Sequence, residues 1–160
     1  MPCNTAMITD VITISPEMSV GDAMQILEEK RIRTAPVVDD QNVLLGVFST
    51  QHLMNSLLPV SVTMEDGLQR LNFVIGASPG VAKRLKKMMP KKVKDVMDED
   101  VVVVGPETQI WESIRLMVKY GSPIPVVDEK TGVLKGLMSE QAAIEEMRQL
   151  YNEMEKNGEL

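Results

Sequence analysis

The chain repeats itself. Displacing the sequence by 90 residues sets Met7-Ile8-Thr9-Asp10-Val11 over Met97-Asp98-Glu99-Asp100-Val101, and Pro16-Glu17 over Pro106-Glu107. At a displacement of 89, Ala35-Pro36-Val37-Val38-Asp39 falls on Ile124-Pro125-Val126-Val127-Asp128. The displacement then returns to 90, where Val43-Leu44-Leu45-Gly46 meets Val133-Leu134-Lys135-Gly136, Ser49 meets Ser139, and Gln51 meets Gln141. Both one-residue slips fall at turn-like segments, where insertions are tolerated. An internal repeat constrains architecture more than any local motif: whatever one half folds into, the other folds into as well.

Each copy predicts the same elements. Val11–Ile14 and Val101–Val104 are short β-rich runs, stopped just before Pro16 and Pro106. A helix follows. In the first copy Ser19-Val20-Gly21-Asp22 has capping-box spacing, with Asp standing in for the longer Glu. Val20, Ala23, Met24, Ile26 and Leu27 then give an apolar stripe at helical spacing. In the second copy Thr108 is the predicted cap, and Ile110, Ile114, Met117 and Val118 continue the stripe. Strands Pro36–Asp39 and Leu44–Phe48 are joined by Asp40-Gln41-Asn42; their counterparts, Pro125–Asp128 and Val133–Met138, are joined by Glu129-Lys130-Thr131-Gly132. A second helix starts near Ser49 or Ser139, each serine at a cap position. The expected fold class is α/β (α+β): two β-α-β-β-α repeats. Neither repeat buries both faces of its sheet alone, so the two are expected to pack sheet to sheet about a pseudo-twofold axis.

Composition narrows the function. Aromatic residues make up 3% of the 160 residues and methionine is high at 13, so the core is built from Val, Ile, Leu and gap-filling Met. A net charge of −6 argues against nucleic-acid binding by phosphate neutralisation. Cys3 is the single cysteine, which rules out an intrachain disulfide or a Cys-based zinc site. No apolar run approaches the ~20 residues of a membrane span, and Met1-Pro2-Cys3-Asn4-Thr5 lacks the order of a signal peptide. A cytoplasmic protein without membrane insertion is expected, with Cys3 in a frayed terminus.

The strand, the Pro-initiated helix, the Pro-Val-Val-Asp strand and the Gly-h-h-Ser helix start (h, apolar) resemble the CBS domain, over residues 6–56 and 93–150. Two copies in one chain resemble a Bateman module. That resemblance implies adenine nucleotides or other adenosyl ligands held in clefts between the repeats, with occupancy passed to an enzyme, channel or transporter. It also implies dimerisation into a disc of four repeats. AMP, ADP, ATP or S-adenosylmethionine are the implied regulatory ligands, and no cofactor is required.

The family's ribose and phosphate motif runs Gly-h-h-Ser/Thr-x-x-Asp, in which a short carboxylate accepts from two neighbouring hydroxyls. Here it reads Gly46-Val47-Phe48-Ser49-Thr50-Gln51-His52 and Gly136-Leu137-Met138-Ser139-Glu140-Gln141-Ala142. Both aspartates are missing: neutral His52 accepts one hydrogen bond and Ala142 none, so the His52 site is the better candidate. Arg33 and Thr34 map beside the phosphates in the first copy, Ser122 and Pro123 in the second. Pro36 and Pro125 open the strands that follow. Adenine would lie near Thr13, Ile14, Val103 and Val104, residues equally suited to plain strand packing. Arg33 suits either an anion or a solvated turn. Ser49 and Ser139 either receive a phosphate at a helix N-terminus or simply cap it. His52 has no second histidine or carboxylate cluster to form a metal site with.

Residues 57–92 form a helical insert between the repeats, with an apolar helical pattern at Met64, Leu68, Leu71 and Val74, and a turn at Ile75–Gly80. A second insert helix, Val81–Met89, is capped by Ser78, has Pro79 at its first position, and ends at Pro90. Lys83, Arg84, Lys86, Lys87, Lys91, Lys92 and Lys94 make it strongly basic, suited either to an anionic partner or to a solvated face. The tail, residues 151–160, ends a helix running from Ser139 to about Lys156, with Ala143, Met147, Leu150 and Met154 on one stripe. A homodimer is expected from that long helix. With no phosphate loop, nucleophile elbow or zinc-ligand spacing, the chain reads as a ligand-sensing regulatory module rather than an enzyme. The alternative is a non-catalytic scaffold with degenerate nucleotide pockets.

Overall fold

A computed structural model describes residues 1–58 and 77–160. They divide into two compact units. The repeat-1 unit comprises Thr13–Asp39 and Leu45–Glu99; the repeat-2 unit comprises Met1–Ile12, Asp40–Leu44 and Asp100–Leu160. The expected helix around Met64–Val74 and the turn at Ile75-Gly76 lie outside the described residues.

In the repeat-1 unit, α1 (Val20–Lys30) starts at Ser19, whose hydroxyl accepts from Asp22 N at 3.1 Å. It buries Val20, Ala23 and Leu27, the i, i+3, i+7 stripe expected of it. Strands β1 (Thr34–Val38) and β2 (Leu44–Ser49) form a two-stranded sheet, and α2 (Thr50–Leu57) follows directly. Helix α3 (Ala77–Met88) packs on α2. It already includes Ser78, Pro79 and Gly80, so Ser78 is not its cap; proline is tolerated in a first turn because the N–H it lacks has no helical partner there.

The repeat-2 unit has the same order: α4 (Ile110–Tyr120), β3 (Ile124–Val127), β4 (Leu134–Met138) and α5 (Glu140–Lys156). Strands β3 and β4 are antiparallel, with Ile124 opposite Met138 and Val126 opposite Gly136. Asp128 shapes their turn by accepting from the N–H groups of Lys130 and Thr131 and from the Thr131 hydroxyl, and these donors hold its carboxyl below the usual range. Gly132 follows at φ 74°, a conformation a side chain would strain.

Three local expectations are corrected. The strands predicted at Val11–Ile14 and Val101–Val104 shrink to one bridging residue each. Ile14 N donates to Pro36 O at 2.9 Å and Ile14 O accepts from Val38 N at 3.1 Å; Val104 does the same with Pro125 and Val127. The chain then turns at Ser15–Met18 and Gly105–Thr108, and Pro16 and Pro106 have no N–H to extend a ladder. Thr108 does not cap α4: its hydroxyl accepts from Gly105 N at 3.0 Å, closing that turn, and Gln109 takes the cap position. Val118 faces water at 84% exposure, because α4 buries Ile110, Ser113 and Met117 instead.

The units cut across the sequence repeats. Lys91–Asp98, which opens repeat 2, folds onto repeat 1. Val20 N donates to Lys91 O, Val93 N to Met18 O and Lys94 N to Pro16 O, while Asp98 and Val47 exchange both backbone bonds. Val93 is fully buried among Ile14, Val20, Leu27 and Phe48. The N-terminus does the same for repeat 2, residue for residue 90 positions earlier. Ile110 N donates to Met1 O, Cys3 N to Thr108 O and Asn4 N to Pro106 O, while Ile8 and Leu137 exchange both bonds. Cys3 is therefore not frayed. It is fully buried with Val104, Ile110 and Met138, and burial pushes its thiol pKa up.

An exposed ion cluster reinforces the first of these joins. Glu17 accepts from Lys92 Nζ at 2.5 Å and Lys94 Nζ at 2.8 Å, and these bonds lower its pKa to about 2. A depressed carboxylate contributes its stability in full above the unfolded value near 4.5 and loses it as pH falls toward 2. NMR titration of the Glu17 carboxyl carbon is expected to give that low midpoint, and about 0.5 M salt to move it back up. A midpoint near 4.5 at low salt would show the cluster is not formed.

Candidate functional site

The two copies of Gly-h-h-Ser lie at equivalent strand-to-helix junctions, one in each unit. Ser49 caps α2 by accepting from His52 N at 3.0 Å, and Ser139 caps α5 by accepting from Ala142 N at 3.1 Å. The first helical N–H is engaged too. Thr50 N donates to Arg33 O at 2.9 Å, and Glu140 N donates to Ser122 Oγ at 3.3 Å. These bonds tie each helix start to the residues before the Pro-Val-Val strand. Hydrogen bonds thus join Arg33 to Thr50 and Ser49 to His52 in the repeat-1 unit, and Ser122 to Glu140 in the repeat-2 unit. The cap positions of both serines are legible in the sequence, whereas the bonds of Thr50 and Glu140 are not. Their only signal was position, one residue past a capping serine.

The two junctions differ chemically. In the repeat-1 unit Arg33 is exposed, Thr34 and Thr50 are half-buried hydroxyls, and the half-buried His52 closes the group. A cation, several hydroxyls and a helix N-terminus suit an anion. In the repeat-2 unit the residues that correspond to Arg33 and Thr34, Ser122 and Pro123, carry no charge. Glu140 stands in the first turn of α5, where its own carboxylate takes the place the helix dipole offers an anion.

The remaining candidates lie on or beside the strand bridges. Ile14 and Val104 are core residues whose backbone bonds are spent on the bridges, and Pro36 and Pro125 are buried strand residues whose carbonyls complete them. Thr13 and Val103, one residue before each bridge, are exposed. An open groove of 380 Å³ runs along α5 from Glu140 at the repeat-2 junction, lined also by Gln141, Ile144, Glu145 and Arg148. Among the described residues, no group of three or more His, Cys, Asp or Glu is placed to hold a metal, and no helix is long and apolar enough to cross a membrane.

A duplicated β-β-α core with a serine-capped helix at each strand exit defines a tandem α/β repeat protein. The CBS domain model matches residues 4–59 and 93–149, and the chain belongs to the CBS-domain family, carrying the domain twice. CBSX2, a chloroplastic CBS domain-containing protein of Arabidopsis thaliana, is 27% identical over 147 residues, covering 90% of this chain and 61% of that protein. Its crystal structure matches with a TM-score of 0.72 at 25% identity, over 94% of this chain and 96% of that one. The structure of CBSX2 in complex with AMP matches with a TM-score of 0.68 at 25% identity, over 94% and 98%. Inosine-5'-monophosphate dehydrogenase of Methanocaldococcus jannaschii is 28% identical over 128 residues, 79% of this chain but only 20% of that enzyme.

Proposed function

We propose that this chain is a homodimeric regulatory module that binds an adenine nucleotide at the repeat-1 junction and passes its occupancy to a partner enzyme or transporter. The observation that supports this most directly is the likeness, over nearly the whole of both chains, to CBSX2 in complex with AMP. Within the reading, Arg33 and the hydroxyls of Thr34, Ser49 and Thr50 hold phosphate, while His52 offers the ribose a single acceptor. Thr13 and the backbone beside Ile14 border the adenine. Ser122, Ser139, Val103 and Val104 form the weaker counterpart, because Glu140 repels phosphate there. The other reading, a scaffold with degenerate pockets, is favoured by the two missing aspartates.

Thermal shift and calorimetry with AMP, ADP, ATP and S-adenosylmethionine separate the two. A nucleotide at ~100 times its Kd is expected to raise Tm by about 5–10 °C, and Arg33→Ala to abolish the shift. His52→Asp, which restores an acceptor for both ribose hydroxyls, is expected to tighten binding by roughly tenfold. Silence from all four ligands at millimolar concentration would leave the scaffold standing and the sensor reading refuted.

A further inference from the structure

The charge on and after α3 is of one sign. Between Ala77 and Lys94 stand seven cations and no acid, and Lys83, Arg84, Lys86, Lys87 and Lys91 are exposed. A solvated helix is favoured by Glu and Lys three or four positions apart. Here Lys83 meets Lys86 and Lys87 at those spacings, and Arg84 meets Lys87, so the surface repels itself. Lys86 and Lys87 suit the C-terminal end of the helix dipole; Lys83 and Arg84 lie further in, where that effect has faded. Among the described residues, Lys83, Lys86, Lys87 and Lys91 form no salt bridge, while Glu17 is shared by Lys92 and Lys94.

The fold does not require the lysines that follow the helix. Ninety residues before Lys91, Lys92 and Lys94 stand Met1, Pro2 and Asn4. Ile110 N donates to Met1 O as Val20 N donates to Lys91 O, and Asn4 N donates to Pro106 O as Lys94 N donates to Pro16 O. Even the side-chain contact persists with a neutral donor. Asn4 Nδ2 donates to Glu107 at 3.2 Å, where Lys94 Nζ donates to Glu17 at 2.8 Å. Repeat 2 thus makes the same join without a cation.

The backbone beneath the cations is held in place. Met88 packs on the repeat-1 core, Arg84 Nη1 donates to Leu57 O at 3.3 Å, and Met89 O accepts from Gly21 N at 2.9 Å. Val81, Leu85 and Met88, half-buried at i, i+4 and i+7, form the apolar face of α3 and leave the lysines outward. Stable binding to a bilayer takes a second, apolar signal beside a polybasic one. A nucleic-acid strand takes aromatic stacking platforms, and residues 77–94 contain no aromatic side chain. Both are also extended polyanions, and the chain as a whole carries −6. Screening acts over about 8 Å, so a short acidic segment confined to this patch escapes most of that repulsion and a broad surface does not.

We infer that the outer face of α3, continued by Lys91, is a docking surface for an acidic peptide segment of a partner protein, whose carboxylates meet Lys83, Lys86, Lys87 and Lys91. This rests on the regulatory reading above for the existence of a partner and adds the partner's chemistry; its test uses no nucleotide, so either can fail alone. In anisotropy titrations the full chain is expected to bind a fluorescein-labelled decaglutamate peptide, with Kd rising at least ~10-fold between about 50 mM and about 0.3 M salt. The triple variant Lys83→Gln, Lys86→Gln, Lys87→Gln is expected to raise the low-salt Kd at least ~10-fold. The triple variant Lys130→Gln, Lys135→Gln, Lys156→Gln removes the same charge from repeat 2 and is expected to stay within about threefold. All six positions are exposed. The first triple also relieves like-charge pairs, so its melting temperature should equal or exceed that of the wild type. Equal losses in the two triples, or no peptide binding at low salt, overturn the proposal. So does tighter binding of phosphatidylserine vesicles or of a DNA duplex than of the peptide, at equal concentration of negative charge.

Discussion

Gly136→Ala is expected to destabilise the protein by about 3 kcal/mol, and Gly46→Ala by a similar amount. A Cβ on Gly136 would lie 2.5 Å from Ile8 O and 3.0 Å from Met7 Sδ; one on Gly46 would lie 2.7 Å from Asp98 O and 3.0 Å from Met97 Sδ. Methionine can swing aside, but the carbonyl cannot. Ile8 and Asp98 are each held by two backbone hydrogen bonds to the residue after the glycine, Leu137 and Val47. Making room for a methyl group therefore means giving up that pair of bonds or straining the strand. Gly80→Ala is the internal control. Gly80 lies within α3 with nothing inside 4 Å of its would-be Cβ, so alanine should stabilise by about 0.5–1 kcal/mol through helix propensity alone. Urea unfolding of the three variants checks the set. Changes of under about 0.5 kcal/mol at both Gly46 and Gly136 would show that the incoming segments do not run where they are described.

Val93→Asp is expected to cost about 3–5 kcal/mol, because it buries an unpaired carboxylate at a site with no exposure. The location of the damage is the more telling result. By sequence Val93 opens repeat 2, yet its side chain lies among Ile14, Val20, Ala23, Leu27 and Phe48 of repeat 1. Hydrogen exchange should thus show lost protection in α1, β1 and β2 before α4, β3 and β4. Cys3→Asp should produce the mirror image, since Cys3 completes the core around Val104, Ile110 and Met117. Protection lost first around α4 in Val93→Asp would contradict the exchange of segments.

The repeat explains why so much of the fold was legible. Alternating and helical apolar patterns, capping serines and turn residues act over a few positions, and each occurs twice. Ser19, Ser49 and Ser139 were all read correctly as caps, and the stripe Val20, Ala23, Leu27 is buried as its period requires. The errors share one cause. Val118 and Thr108 each satisfied a local rule, but the surroundings of α4 assigned the buried face to Ile110, Ser113 and Met117 and gave the Thr108 hydroxyl to Gly105. Cys3 looked frayed because proximity to a chain end says nothing about a partner more than 100 residues away.

The candidate site was legible as residue types and not as chemistry. The family motif points to Ser49 and His52, and position before the Pro-Val-Val strand points to Arg33, yet only the folded junction engages the first helical N–H groups with Arg33 O and Ser122 Oγ. It also places Glu140 in the first turn of α5, whereas the first turn of α2 carries no acidic residue. A linear motif carries no information about which donors are already in use.

By itself, then, the amino-acid order determined the duplicated element sequence and the family, because those follow from short-range patterning and from a comparison of one half with the other. The need for glycine at Gly46 and Gly136 comes from backbone of distant segments, Asp98 O and Ile8 O. Tertiary structure alone decided which segment fills which core and which face of α4 stays in water. Those outcomes depend on packing between residues some 45 to 135 positions apart, as Val93 with Phe48 and Cys3 with Met138, and no local preference encodes them.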